Sequence, residues 1–192
     1  MNASSLQDMH VVLIPGMRDR LKDHWQEILA ESLQHVTLVP PAGKKDFSLT
    51  ARITAIDQAV ATAQLPVLLV AHSVGCVMLA HWAQSSGLLG KVKGALLVTP
   101  PDLEKVLPTG YPSAQEFAEH LWTPVPHQNF PFKSIVASSS NDPLCAPDKA
   151  AAMGEAWGSR LAHLGAVGHL NPLSGFGYWP DAEQLMVDLL MA

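Results

Sequence analysis

The apolar positions along this chain fall into two alternating rhythms. Short runs rich in Val, Leu and Ile, bounded by Gly, Pro or polar residues, read as strands covered on both faces. They are Val11–Ile14, Val36–Val39, Val67–Ala71, Ala95–Val98, Ser134–Ala137 and Leu161–Leu164. Between them lie stretches in which apolar residues recur at helical spacing, as Trp25, Ile28, Leu29 and Leu33 do within 23–34. Thr50–Ala63 repeats the pattern through Ile53, Ile56 and Val60, with Thr50 as the expected N-cap, and Cys76–Gln84 continues apolar directly after the third strand. Two further helices are expected to open near Pro147 and Pro180, where proline's missing N–H costs nothing, the second running through Leu185, Leu189 and Leu190. Strand and helix in alternation predict an α/β fold, a parallel sheet sandwiched between two helical layers.

One segment departs from this rhythm. Residues 100–131 are proline-rich and longer than a simple strand-to-helix connection, and Ser113 to Glu116 has capping-box spacing before Phe117, Leu121 and Trp122. The segment reads as a small cap-like insert within a single domain spanning 1–192. Its apolar residues Leu103, Leu107, Tyr111, Phe117, Leu121, Trp122 and Phe130 have two readings, covering a site or completing the core, and core packing is expected for at least half.

Composition narrows the functional classes. Only 15% of residues are charged and the net charge is −5, with basic pairs no denser than Lys44-Lys45 and Lys91 with Lys93, so there is no stripe to displace counterions from nucleic acid. Cys76 and Cys145 lie outside any disulfide framework or metal-ligand spacing and are expected as free thiols in a reducing compartment. The N-terminus lacks a basic n-region and no run approaches the ~18 apolar residues of a membrane span, which makes the cytoplasm the expected location.

Candidate chemistry begins where the third strand meets the following helix, at Val70-Ala71-His72-Ser73-Val74-Gly75. A sharp strand-to-helix elbow lifts a serine hydroxyl above the sheet edge and demands small residues two positions to either side, a need that Ala71 and Gly75 meet. At the N-terminus of that helix Val74 N–H can donate to an oxyanion, and the loop after the first strand, Ile14-Pro15-Gly16-Met17, offers Met17 N–H as its partner. A serine needs a base, and the base needs a carboxylate to set its tautomer. After the fifth strand comes Ser138-Ser139-Ser140-Asn141-Asp142-Pro143, and after the sixth comes Gly168-His169-Leu170-Asn171-Pro172. The order Ser73, Asp142, His169 is that expected for an elbow serine, with Asp102 after the fourth strand the main rival for the acid. Asp148 belongs to the first turn of its helix. His10, His35, His81, His120 and His163 are expected in structural or solvated roles. His72 is expected to point away from the nucleophile and pack. His24 either lines the pocket or is structural.

Pro15-Gly16 with His24-Trp25-Gln26, then Ala71-His72-Ser73-Val74-Gly75, Ser139-Ser140-Asn141-Asp142-Pro143, and Gly168-His169-Leu170-Asn171-Pro172-Leu173-Ser174-Gly175-Phe176-Gly177-Tyr178-Trp179-Pro180 together resemble the YdeN-like serine hydrolases, which include the retinoblastoma-binding protein 9 type. The resemblance runs from the first strand to the last helix. It implies a trimmed α/β-hydrolase fold, a three-layer sandwich with six parallel strands, and a catalytic triad at Ser73, Asp142 and His169. The elbow departs from the Gly-x-Ser-x-Gly pattern at Ala71. Retinoblastoma binding does not carry over, because the chain has no Leu-x-Cys-x-Glu segment. In the matched stretch, Asn171, Ser174 and Gly175 are expected to be structural, with Asn171 holding the histidine loop.

The expected activity is carboxylesterase-like hydrolysis of a small acyl substrate through an acyl-enzyme, with no metal or organic cofactor. Two alternatives remain open: a non-catalytic interaction module that keeps the fold, and a peptidase or thioesterase using the same three residues.

Overall fold

The computed structural model describes residues 6–17, 21–41 and 47–191; the Lys44-Lys45 pair lies outside the described residues. Its centre is one sheet of six strands in the order β2-β1-β3-β4-β5-β6, every neighbouring pair parallel. The strands are β1 His10–Ile14, β2 Val36–Leu38, β3 Val67–His72, β4 Val92–Val98, β5 Lys133–Ser138 and β6 Arg160–His163. Each predicted strand is present within one to three residues at either end: the fourth begins three residues earlier than the Ala95–Val98 pattern suggests, and the last one residue earlier than Leu161–Leu164. All six residues of β3 are buried, whereas the edge strands β2 and β6 contain none that are. Central position explains the unbroken apolar run, since a strand covered on both faces has no solvent side to make polar.

Side-chain alternation divides the core between the two faces. Val12, Ile14, Leu69, Ala71 and Leu97 pack with α2 Leu49–Thr62, α3 Val74–Ser85 and α5 Pro147–Ala156. Val11, Leu13, Leu68, Val70 and Leu96 pack with α1 Trp25–Ser32 and α6 Asp181–Met191. The result is the three-layer sandwich of a trimmed α/β-hydrolase fold.

Two helix starts differ from expectation. Ser48, not Thr50, caps α2, its hydroxyl accepting from Ala51 N–H at 3.2 Å, because a cap must precede the first helical residue, and Thr50 is already inside, where its carbonyl accepts from the Thr54 hydroxyl. For α1 the cap is His24, whose Nδ1 accepts from Gln26 N–H at 3.2 Å.

The 100–131 segment contains one short helix, α4 Ala114–Glu119, opened by the expected capping box between Ser113 and Glu116. Of its apolar residues, Leu103, Phe117 and Trp122 are fully buried in the core beside α3, Leu107 and Phe130 pack on its margin, and Leu121 is exposed. Core packing accounts for most of the insert, while Tyr111 lines the cleft described next.

Candidate active site

Ser73 sits between β3 and α3 with φ 56° and ψ −131°, a conformation that costs a non-glycine residue roughly 1–3 kcal/mol. The strain is held by the surroundings. Ser73 N–H extends the sheet ladder to Val98 O at 2.9 Å, and its carbonyl accepts from Cys76 N–H at 2.9 Å. The loop after β1 presses against the elbow: a Cβ on Gly75 would stand 2.6 Å from Ile14 O and 2.8 Å from Pro15 O, and one on Gly16 would stand 3.1 Å from Ser73 Cβ. Glycine at these two positions lets the β1 and β3 loops close on each other.

His169 reaches this elbow from the loop after β6. Its Nε2 lies 2.8 Å from Ser73 Oγ, and its Nδ1 lies 3.0 and 2.9 Å from the two carboxylate oxygens of Asp142, which sits after β5. The imidazole and carboxylate side chains are only 5% and 2% exposed. Asp142 Oδ1 also accepts from Leu144 N–H at 2.8 Å, which fixes the carboxylate before it meets the ring. The rival Asp102 is directed elsewhere, accepting from Glu104 N–H at 3.1 Å and lying 4.0 Å from Lys149 Nζ. Asp148 stands in the first turn of α5.

The cleft beside Ser73 is walled by Pro15, Gly16, Met17, Leu21, His24 and Tyr111, with Pro172 and Leu173 on the opposite rim. Val74 opens α3, so its N–H is one of the helix's donors without an intrahelical partner, and Met17 is buried in the cleft wall. Of the two readings open for His24, both describe it: the ring lines the cleft and caps α1. Burial, opposed by Glu27, pulls its pKa down to about 4, so it is uncharged near neutral pH. Burial pushes the Cys145 thiol up to about 12 and raises Cys76 as well, which keeps both in the unreactive thiol form. Among the described residues no three His, Cys, Asp or Glu side chains are grouped to hold a metal.

The expectation for His72 needs correction. Its ring does not bond to the Ser73 hydroxyl, but neither does it pack away from the site: it lines the same cleft, and Nε2–H donates to His169 O at 3.0 Å. The cause is geometric, since the loop after β6 folds over the elbow and offers its carbonyl to the nearest buried donor. Two other residues were given no role by the sequence. Gln26 Nε2 donates to Ile14 O at 3.2 Å and to Val70 O at 3.1 Å, tying the ends of β1 and β3 together, and Asn141 Oδ1 accepts from Gly168 N–H at 2.7 Å. A buried glutamine inside an otherwise apolar helix face is the signal that could have found the first. Asn141, one polar residue among several in its loop, carried none. Asn171 Oδ1 accepts from both the N–H and the hydroxyl of Ser174, whose oxygen in turn accepts from His169 N–H at 3.1 Å.

Solved structures share this fold across nearly the whole chain. A YdeN-like hydrolase from Pectobacterium atrosepticum superimposes with a TM-score of 0.78 at 23% identity, covering 96% of this chain and 92% of that one. The ydeN gene product of B. subtilis gives 0.67 at 17% identity over 96% and 100% of the two chains, and an esterase domain from Rhodothermus marinus gives 0.63 at 15% over 98% and 87%. No curated protein matches the chain in sequence. The serine hydrolase family model matches residues 11–188, which span all six strands and most of α6, and the chain therefore belongs to the serine hydrolase family.

Proposed function

We propose that the chain cleaves a carboxylic ester or related acyl bond, with Ser73 as nucleophile, His169 as general base and Asp142 as the acid that orients it. The observation that carries this reading is one imidazole bridging two partners, 2.8 Å from the Ser73 hydroxyl on one nitrogen and 2.9 Å from Asp142 on the other. With the carboxylate accepting a hydrogen bond from Nδ1–H, Nε2 carries the lone pair that accepts from the Ser73 hydroxyl. As Ser73 Oγ attacks the substrate carbonyl, its proton passes to His169, and Asp142 stabilises the imidazolium that results. The tetrahedral oxyanion is received by the N–H groups of Val74 and Met17. Collapse expels the leaving group, which takes the proton from His169. Water then repeats the sequence on the acyl-enzyme and frees Ser73.

Main-chain oxyanion donors cannot be deleted by side-chain substitution; in comparable sites one donor is worth about 10²- to 10³-fold in rate. The rim residues Leu21, Tyr111 and Leu173 favour an apolar portion of the substrate, and the uncharged His24 offers no ion pair to an anionic one. Two buried free thiols fit a reducing compartment such as the cytoplasm, and no helix among the described residues is long and apolar enough to cross a membrane. The test is labelling with a fluorophosphonate, followed by a panel of p-nitrophenyl esters of rising acyl length. The unaltered chain should be labelled and Ser73→Ala should not; label persisting in Ser73→Ala would remove Ser73 from the role.

A further inference from the structure

The backbone of Gly168 and His169 is held by side chains from three separate segments. Asn141, from the loop after β5, accepts from Gly168 N–H at 2.7 Å; Ser174, from the turn that follows, accepts from His169 N–H at 3.1 Å; and His72, at the end of β3, donates to His169 O at 3.0 Å. The first two hold the approach to His169. On the carbonyl side, where the chain turns at Leu170 with φ 46°, Leu170 N–H donates to Val167 O at 3.2 Å, and His72 is the side chain that holds His169 O.

We propose that His72 is a positioning residue which sets His169 over Ser73 by gripping the His169 carbonyl from the position next to the nucleophile. The inference rests on the reading of Ser73 and His169 as nucleophile and base. Because His72 and Ser73 are consecutive, this hydrogen bond ties the histidine loop to the elbow itself and not to a distant part of the fold. Movement of the His169 backbone away from the elbow must break it.

The ring is placed to act as a fixed post. It is 4% exposed, meets Trp25 edge-on with centroids 5.8 Å apart at 90°, and lies against His24 at 4.8 Å. A carbonyl can only accept, so Nε2 must carry a hydrogen, and in an uncharged ring Nδ1 then has none. Burial, reinforced by the neighbouring His169 and His24, holds the His72 pKa well below the usual histidine range, so one tautomer serves across neutral pH.

His72→Phe keeps a flat ring against Trp25 and removes the donor, while His72→Gln restores an N–H near the position of Nε2. Loss of positioning should slow fluorophosphonate labelling and lower kcat for a p-nitrophenyl ester by about 10- to 100-fold in His72→Phe, with KM changing less than about threefold. His72→Gln should recover to within about threefold of the unaltered chain. A His72→Phe variant as fast as the unaltered chain, or a Gln variant no better than Phe, overturns the inference while leaving Ser73 and His169 in their roles. An unaltered chain that takes no label at Ser73 overturns that reading and this inference with it. Nitrogen-15 NMR of the unaltered chain provides a check independent of folding in the variants: His72 should be the neutral Nε2–H tautomer at neutral pH. The Nδ1–H tautomer would overturn the inference.

Discussion

The elbow at Ser73 and the loop at His169 meet across one hydrogen bond but are held in place by different means. The elbow is fixed by exclusion. Gly75 leaves no room for a Cβ and Gly16 little, Ala71 is fully buried within β3, and the groups nearest to Gly75 are backbone carbonyls that cannot move aside. The histidine loop is fixed by polar ties from the side chains of His72, Asn141, Asp142 and Ser174. One region should therefore fail as a whole when altered, and the other by degrees.

Substitutions on the two sides can break or sharpen that contrast. The largest effect is expected at the polar tie proposed as the catalytic acid: Asp142→Asn should lower kcat by about 10⁴-fold with the melting temperature little changed, while Asp102→Asn should lower it far less. Steady-state rates on one p-nitrophenyl ester decide this, and the reverse ranking would move the acid to Asp102. Next comes the elbow, where Gly75→Ala should destabilise the fold by about 1–3 kcal/mol in urea titration, because the new methyl meets backbone atoms. Gly168→Ala should cost about 1–2 kcal/mol for an alanine at φ 59°, and its methyl, 2.6 and 2.8 Å from Ser174 Oγ and Cβ, should also disturb the hydroxyl that holds His169 N–H. If Gly168→Ala proves as damaging as Gly75→Ala, the contrast fails.

The remaining prediction concerns pH. His24 titrates at about 4 in the fold against 6.5 in the unfolded chain, so the unfolded state binds more protons between those values. Its contribution to stability is complete above about 6.5 and is lost as the pH falls toward 4, and buried His72 acts in the same direction. Thermal melts should show the midpoint dropping through this window. His24→Asn, which retains an acceptor for Gln26 N–H but does not titrate, should flatten the drop.

How much of this was legible in the sequence follows from how each feature is encoded. β3 could be read because burial on both faces leaves a continuous apolar run, and the positions of Ser73, Asp142 and His169 could be read because each follows a strand. His72 was misjudged because the elbow motif specifies its backbone and says nothing about which loop folds over it. The function of Gln26 is not legible in the sequence, since its two acceptors lie 12 and 44 residues away along the chain. The insert's aromatic residues could not be sorted between core and cleft from their spacing alone. Phe117 and Tyr111 are both apolar at the sequence level, and only the path of the backbone sends one inward and the other to the cleft. The α2 cap was placed two residues late because Ser48 and Thr50 are both good caps.

The strand order carries a further consequence. From β1 the chain first winds outward to β2, then crosses back to β3 and winds the other way to β6, so successive connections leave β1 and β3 toward opposite faces, by way of α1 and α3. At such a reversal of winding the two departing loops diverge and leave a gap between them at the strand ends. That gap is where Gly16 and Ser73 face one another, so the floor of the cleft is a by-product of the winding, while its walls are free to diverge in sequence without disturbing the sheet beneath.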